Sequence, residues 1–234
     1  MTERGENALS RDATSFTVGP STMRWEDDAL VIDFDERSVP HLTRLRGRVR
    51  LVPDDVNDVS FVIAPGHHWR PVAPDAHMEV DVPGLGLSWR GRGYHDTNWG
   101  PTGLEHDFRR WNWSRAKNAR GETAILYDIE PKVGEPHTIA LRFAGDATPR
   151  AFGPPGRKPL RRGMWGVRRD IQCEDGAPPK IVRSLEDAPF YTRAEVRSRL
   201  FGEEVVSVHE CLDGDRFGTA WVKALLPFRM PRRA

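Results

Sequence analysis

Hydrophobic and polar residues alternate in short runs along most of the chain. Leu30 to Phe34 is a compact apolar run, and Val49 and Leu51 alternate with Arg48 and Arg50. Met78, Val80 and Val82 alternate with His77, Glu79 and Asp81, and Leu85, Leu87 and Trp89 keep that period after a Pro83-Gly84 turn. Ala124 to Ile129 is a further apolar run. Ile139, Leu141 and Phe143 alternate with Thr138, Ala140 and Arg142, and Val206 to Leu212 and Trp221 to Leu226 complete the set. A period of two, bounded by Gly, Pro, Asp and Asn, predicts half-buried strands. The 19 Pro and 21 Gly leave little room for long helices. One helix is predicted near the C-terminus, over Thr192 to Phe201, with Thr192 as its N-cap and Gly202 as its stop.

Many short strands at close spacing point to an all-β barrel or sandwich. The segment Gly145 to Arg162 is rich in Gly, Pro and Arg and reads as a linker or long loop. It would separate a first β unit over 1–144 from a smaller second one over 163–234.

Composition narrows the class. Of 234 residues, 38% are hydrophobic and 29% charged, which is a globular and not a disordered balance. A net charge of +1 argues against nucleic acid as a partner, although the basic stretch Arg229 to Arg233 could touch an anionic surface. No run reaches the roughly 20 apolar residues of a membrane helix. The first residues, Met1 to Ser15, lack an apolar signal core. Two cysteines, Cys173 and Cys211, suggest no disulfide framework, so a reducing cytoplasm is expected.

Candidate chemistry is densest between Trp89 and Asp128, in WRGRGYHDTNWGPTGLEHDFRRWNWSRA followed by ILYDIE. Asp128 alternates with Tyr127 and lies on the side of Ala124 and Leu126. A carboxylate among apolar neighbours is costly unless paired or protonated, and desolvation raises its pKa. A protonated carboxyl in an apolar pocket is what an acid needs to protonate an alkene. Aromatic faces such as Trp99 and Trp111 could stabilise the resulting cation. The simpler alternatives are a structural carboxylate paired with Arg115 or Arg142, a turn built by His95, Asp96 and Asn98, and core packing for the tryptophans. His67-His68 invites a metal reading but matches no standard ligand spacing.

The residues GRGYHDTNWG, LEHDFRRWNWSRA and ILYD resemble the hydroxyneurosporene synthase (carotenoid 1,2-hydratase) family. The opening FTVGPSTMRWEDDALVIDFDE and the closing SLEDAPFYTRAEVRSRLFGEEVVSVHECLDGDRF and WVKALLPFRMPRR are similar to it as well, so the likeness spans essentially the whole chain. It implies a lipocalin-like, all-β fold with two barrel-like halves. The family pattern extends upstream of Met1, so the first half is expected to be incomplete.

The implied activity is addition of water to the 1,2 double bond of an acyclic carotenoid such as neurosporene or lycopene, in bacterial carotenoid synthesis. No cofactor and no metal are implied. In that setting Asp128 is expected to be the acid, with Tyr127 a relay only where the strand is irregular. His95 and Asp96 would orient or deprotonate the water, supported by Asn98. Trp99, Trp111, Trp113 and Tyr94 would line the substrate or stabilise the cation. Such a substrate implies peripheral contact with the inner or an intracytoplasmic membrane. The competing functions are a non-catalytic lipocalin-like carrier for carotenoid or lipid, and a terpenoid or polyketide cyclase on the same scaffold.

Overall fold

The computed structural model describes residues 4–38 and 42–226; the basic stretch Arg229 to Arg233 lies outside them. The fold is mostly β, and its contacts form two compact units. The first holds residues up to Val56 together with Val72–Asp96, and the second holds Asn57–Pro71 and Thr97–Leu225.

The strands of the first half of the chain are β1 (Leu9–Arg11), β2 (Ser15–Val18), β3 (Ser21–Glu26), β4 (Ala29–Arg37), β5 (Arg44–Pro53), β6 (Phe61–Ala64), β7 (His67–Val82) and β8 (Leu87–Trp99). Their pairing order is β1-β2-β3-β4-β5-β7-β6, with β8 paired to β7. The first unit is centred on Leu30, Leu51, Ala73 and Ala76, with Met23, Trp25 and Met78 packed against them. Its polar side is laced across strands: Asp33 accepts from Arg24 on β3 at 2.7 Å and from Arg48 on β5 at 2.6 Å. Gly47 admits no side chain, because a Cβ there would lie 2.6 Å from the Asp81 carbonyl oxygen and from the Phe34 ring.

The second unit adds a single helical turn, α1 (Leu104–Asp107), then β9 (Phe108–Lys117), β10 (Thr123–Pro131), β11 (His137–Phe143), β12 (Arg150–Ala151), β13 (Arg157–Leu160), β14 (Arg169–Gln172), β15 (Lys180–Asp187), β16 (Tyr191–Leu200) and β17 (Glu203–Asp213). Two short helices follow, α2 (Gly214–Phe217) and α3 (Ala220–Leu225). Seven strands form an antiparallel sheet in the order β12-β11-β10-β9-β17-β16-β15, and β13 and β14 form a separate ribbon. β10 is buried at every position but Glu130, as its nearly unbroken apolar run requires of a central strand covered on both faces. The ribbon strand β14 packs on β9 and β17 and is itself buried at all four residues.

Four expectations change. Both large sheets have open strand orders, so the described residues form no closed barrel. The segment 145–162 carries β12 and β13, and strands from both sides of it share one sheet, because β17 pairs with β9. The contacts therefore group residues differently from a division at 144 and 162. The predicted helix over Thr192 to Phe201 is the strand β16. Thr192, Ala194, Val196, Ser198 and Leu200 are buried, whereas Arg193, Arg197 and Arg199 are exposed. Small residues marked the inner face too weakly for the period of two to stand out. Gly202 is not a helix stop but half of a two-residue hairpin: Phe201 and Gly202 both have positive φ, and Leu200 pairs with Glu203. Conversely, Trp221 to Leu226, read as a strand, forms α3, in which Val222 alone is fully buried. A short apolar run does not distinguish the two.

Adjacent positions on β16 should therefore differ sharply. Leu200→Ala is expected to cost about 2–5 kcal/mol, and Arg199→Ala less than about 0.5 kcal/mol, in urea unfolding. Equal costs would contradict the strand.

Candidate active site

The register of β9, β10 and β11 sorts the nominated residues onto two faces. Asp128 sits opposite Asn112 on β9 and Thr138 on β11, and Tyr127 sits opposite Trp113 and Ile139. The ladder is regular until a shift at Glu130/Pro131. Tyr127 and Asp128 thus project to opposite sides of the sheet, and no irregularity brings the phenol round to the carboxyl.

The Asp128 face is polar and covered. Thr138 donates its hydroxyl to Asp128 Oδ1 at 2.6 Å, and Gln172 on β14 donates Nε2 to the same oxygen at 2.8 Å. The cation beside it is Arg157, with Nη2 at 3.2 Å, and not the expected Arg115 or Arg142. Arg157 also reaches Glu130 at 3.6 Å; Glu130 pairs with Arg110, and Arg110 and Arg168 approach Asp170 at 3.4 and 2.8 Å. Burial pushes the Asp128 carboxyl above its ordinary value, against the pull of the Thr138 bond and the Arg157 charge.

Farther along this face lie His209 and Cys211, whose ring Nε2 and Sγ are 3.3 Å apart. Desolvation lowers His209 to about 4 and raises the Cys211 thiol to about 12. Both are neutral at pH 7, and the thiol is unreactive.

The opposite face is aromatic. Trp111 meets Tyr127 edge-on at 5.7 Å, Tyr127 meets Trp69 at 5.3 Å, and Trp111 also meets Tyr191 at 6.4 Å. Trp113 is on this face by register and is buried. Sequence reasoning missed Trp69, which is fully buried, and weighed its strand neighbour His67 only as a metal ligand. His67 shares the Trp69 side of β7. Its Nε2 is 2.6 Å from Asp107 Oδ2, and its ring stands edge-on to Phe108 at 5.2 Å. Thr102 hydrogen-bonds Asp107 and holds its carboxyl below the usual value, with His67 adding to the effect. Gly100 seats the imidazole, since a Cβ there would lie 2.3 Å from the ring. His68, on the other side of β7, stacks on Trp99 at 5.2 Å and 9°. The HHW run is the signal that the sequence offers for this cluster.

Tyr94, His95 and Asp96 belong to the first unit, and Asn98, Trp99, Trp111, Trp113, Tyr127 and Asp128 to the second. Within the first, the Tyr94 hydroxyl donates to Asp96 Oδ2 at 3.1 Å, and His95, on the alternate side of β8, meets Trp25 edge-on at 6.4 Å. Of the nominated residues, the structure thus joins Tyr94 to Asp96 and Tyr127 to Trp111. It separates Asp128 from Tyr127, Trp111 and Trp113 by the thickness of the sheet.

The profile of the family described as carotenoid hydratase CrtC matches residues 1–234. The chain belongs to the carotenoid hydratase CrtC family. Similar family members are the acyclic carotenoid 1,2-hydratases of Thiocapsa roseopersicina, 43% identical over 99% of this chain, and of Rubrivivax gelatinosus, 40% identical over 100%. The chain spans 58% of the length of each. The Rhodobacter capsulatus acyclic carotenoid 1,2-hydratase is 42% identical, and the match covers 84% of it. Among solved structures, an AttH candidate protein of Nitrosomonas europaea superposes with a TM-score of 0.56 at 12% identity, covering 87% of this chain and 70% of that one. That likeness shows the fold alone: this carotenoid hydratase family member has an AttH-like arrangement of strands.

The buried imidazole makes stability pH-dependent. His209 is depressed from 6.5 to about 4 in the fold, so the unfolded chain takes up the proton first as pH falls. Its contribution is complete above pH 6.5 and lost progressively down to about 4. Between pH 7 and 5 the loss should be about 2 kcal/mol. His209→Gln should flatten that part of the urea-midpoint profile; an unchanged slope would show that His209 does not titrate this way.

Proposed function

We propose that this chain is an acyclic carotenoid 1,2-hydratase, a hydro-lyase that adds water across the terminal double bond of a carotenoid such as neurosporene or lycopene. The observation that carries the reading is identity of about 40% to three hydratases over the whole chain. The chemistry needs a carboxylic acid to protonate carbon 2, a surface that tolerates the tertiary cation at carbon 1, and a water to capture it. The proton lost by that water restores the acid, so the cycle balances without a redox partner.

Between the two nominated carboxyls, the geometry favours Asp96. Burial does keep Asp128 protonated more readily, but the permanent charge of Arg157 favours its ionised form. Its face is covered by the polar ribbon strand β14, and the sheet's aromatic rings lie on the far side. Asp96 accepts the Tyr94 hydroxyl at 3.1 Å, a bond that strengthens as the carboxyl gives up its proton. Trp69, Trp111 and Tyr127 form an edge-packed aromatic cluster within the second unit.

The test is incubation of folded protein with lycopene or neurosporene in detergent, in water enriched with oxygen-18. A product heavier by one labelled water establishes hydration, and unchanged mass refutes it. Loss of a general acid costs about 10²–10⁴-fold. Asp96→Asn should therefore lower turnover by at least about 100-fold, and Asp128→Asn by less than about tenfold. Asp128→Asn should be at least as stable as the parent at pH 7, because it removes a buried carboxyl whose pKa is raised. The reverse ranking of the two activities would return the acid role to Asp128.

A further inference from the structure

Apart from the aromatic face and the Asp128 network, the second unit contains a cavity of about 640 Å³. It is walled by the end of β13, the loop 161–168, the start of β14 and the edge strand β15. That volume is in the range of small-molecule sites. Four cations line it, Arg161, Arg162, Arg169 and Lys180, against two carboxylates, Glu186 and Asp187. Arg161, Arg162 and Lys180 are exposed and form no ion pair among the described residues.

Arg169 differs from them. It is only 3% exposed, and neither its Nε nor its Nη2 has a hydrogen-bond acceptor among the described residues. Asp187 Oδ2 stands 3.5 Å from Nη2 while accepting the Met164 backbone N–H at 2.7 Å. A buried guanidinium with unmet donors is costly, and its charge adds to the positive potential of the cavity wall. The site is also tightly built. A Cβ on Gly163 would lie 2.2 Å from Arg169 Nη2 and 2.3 Å from Asp187, so glycine alone lets the loop pass over the pair.

The rest of the wall is apolar: Leu160, Ile181, Leu185 and Met164, the last 56% exposed. The next residue, Trp165, packs at 6.3 Å on Trp221, which is 46% exposed. A cationic recess with apolar walls and exposed Met and Trp beside it matches an amphiphile with an anionic head group and a hydrocarbon body.

We propose that this cavity binds the phosphate group of an anionic phospholipid. Arg161, Arg162 and Lys180 gather the charge, Arg169 adds its own from beneath, and the acyl chain lies over Met164 and Leu185. The inference does not rest on the hydratase reading, and its test does not use activity. The full chain is sedimented with vesicles of phosphatidylcholine, with or without phosphatidylglycerol, at one ionic strength. Wild type should pellet only with phosphatidylglycerol present. Short-chain phosphatidylglycerol should displace it, whereas the same concentration of inorganic phosphate should not.

Each basic group at such a surface is worth about fivefold, so the double variant Arg161→Gln/Arg162→Gln should bind about 30-fold more weakly. Lys180→Gln, on a different element, carries the same test should the double variant not fold. Wild-type binding by either variant would overturn the site, as would equal pelleting on phosphatidylcholine alone. Equal competition by inorganic phosphate would make the ligand a free phosphate and overturn the lipid assignment.

Discussion

The unbroken register through β17, β9, β10 and β11 is the constraint on which the second unit depends. Ser114 lies between His209 and Leu126, and Asn112 between Cys211 and Asp128, so one parity carries the polar residues Asn112, Ser114, Asp128 and His209. The other parity carries Trp111, Trp113, Tyr127 and Ile125. A slip of one residue would exchange the two sets completely. It would turn a carboxyl, an imidazole and an amide toward Trp69, and turn indoles toward Gln172 and Arg157. Each face therefore enforces the register that the other requires, and the chemistry available on a given face follows from residue number alone.

The two faces are stabilised by different physics. On the aromatic side, edge-to-face contacts add about 0.5–1.5 kcal/mol each beyond the area they bury, and the charges there include the Glu210–Arg193 pair opposite Trp113. On the polar side, Asp128, Arg157, Glu130, Arg110 and Asp170 form a chain of partly buried charges. Such a chain adds little net stability, and because Arg157 also reaches Glu130, loss of the Asp128 charge does not leave it stranded. His67 lies at the margin between these regimes. It packs on Phe108 as an aromatic while its Nε2 is tied to Asp107, so its ring is fixed in both orientation and tautomer.

What could be read from the sequence follows the same division. The parity argument that separates Tyr127 from Asp128 needs only strict alternation, and it holds. The partner of Asp128 was not legible, because Arg157 lies beyond a Gly- and Pro-rich stretch with no period from which to project a direction. β16 was hidden because Thr, Ala and Ser form most of its buried file, and its exposed file of Arg and Glu are good helix formers. The grouping into units was hidden for the opposite reason. β7 and β8 read as continuous strands, yet each contributes residues to both units. No composition shift marks those crossings. His67 and Asp107 come together only because a turn at Leu104–Asp107 returns the chain to β7, a contact that neither residue's local pattern announces.

A displaced pKa is a weak guide to an alkene-protonating acid. The quantity that matters is how much the surroundings favour the carboxylate in the transition state over the acid in the ground state. Burial raises Asp128 by penalising its charged form, and that penalty is still present when the proton leaves. Arg157, being permanently charged, stabilises the ionised form before any substrate arrives and so opposes holding the proton at rest. A phenol does neither. Tyr94 makes a neutral hydrogen bond to a protonated Asp96 and a charge-assisted one to its anion, the latter about twice as strong. For the acid proposed on β8, that stabilisation grows along the reaction coordinate.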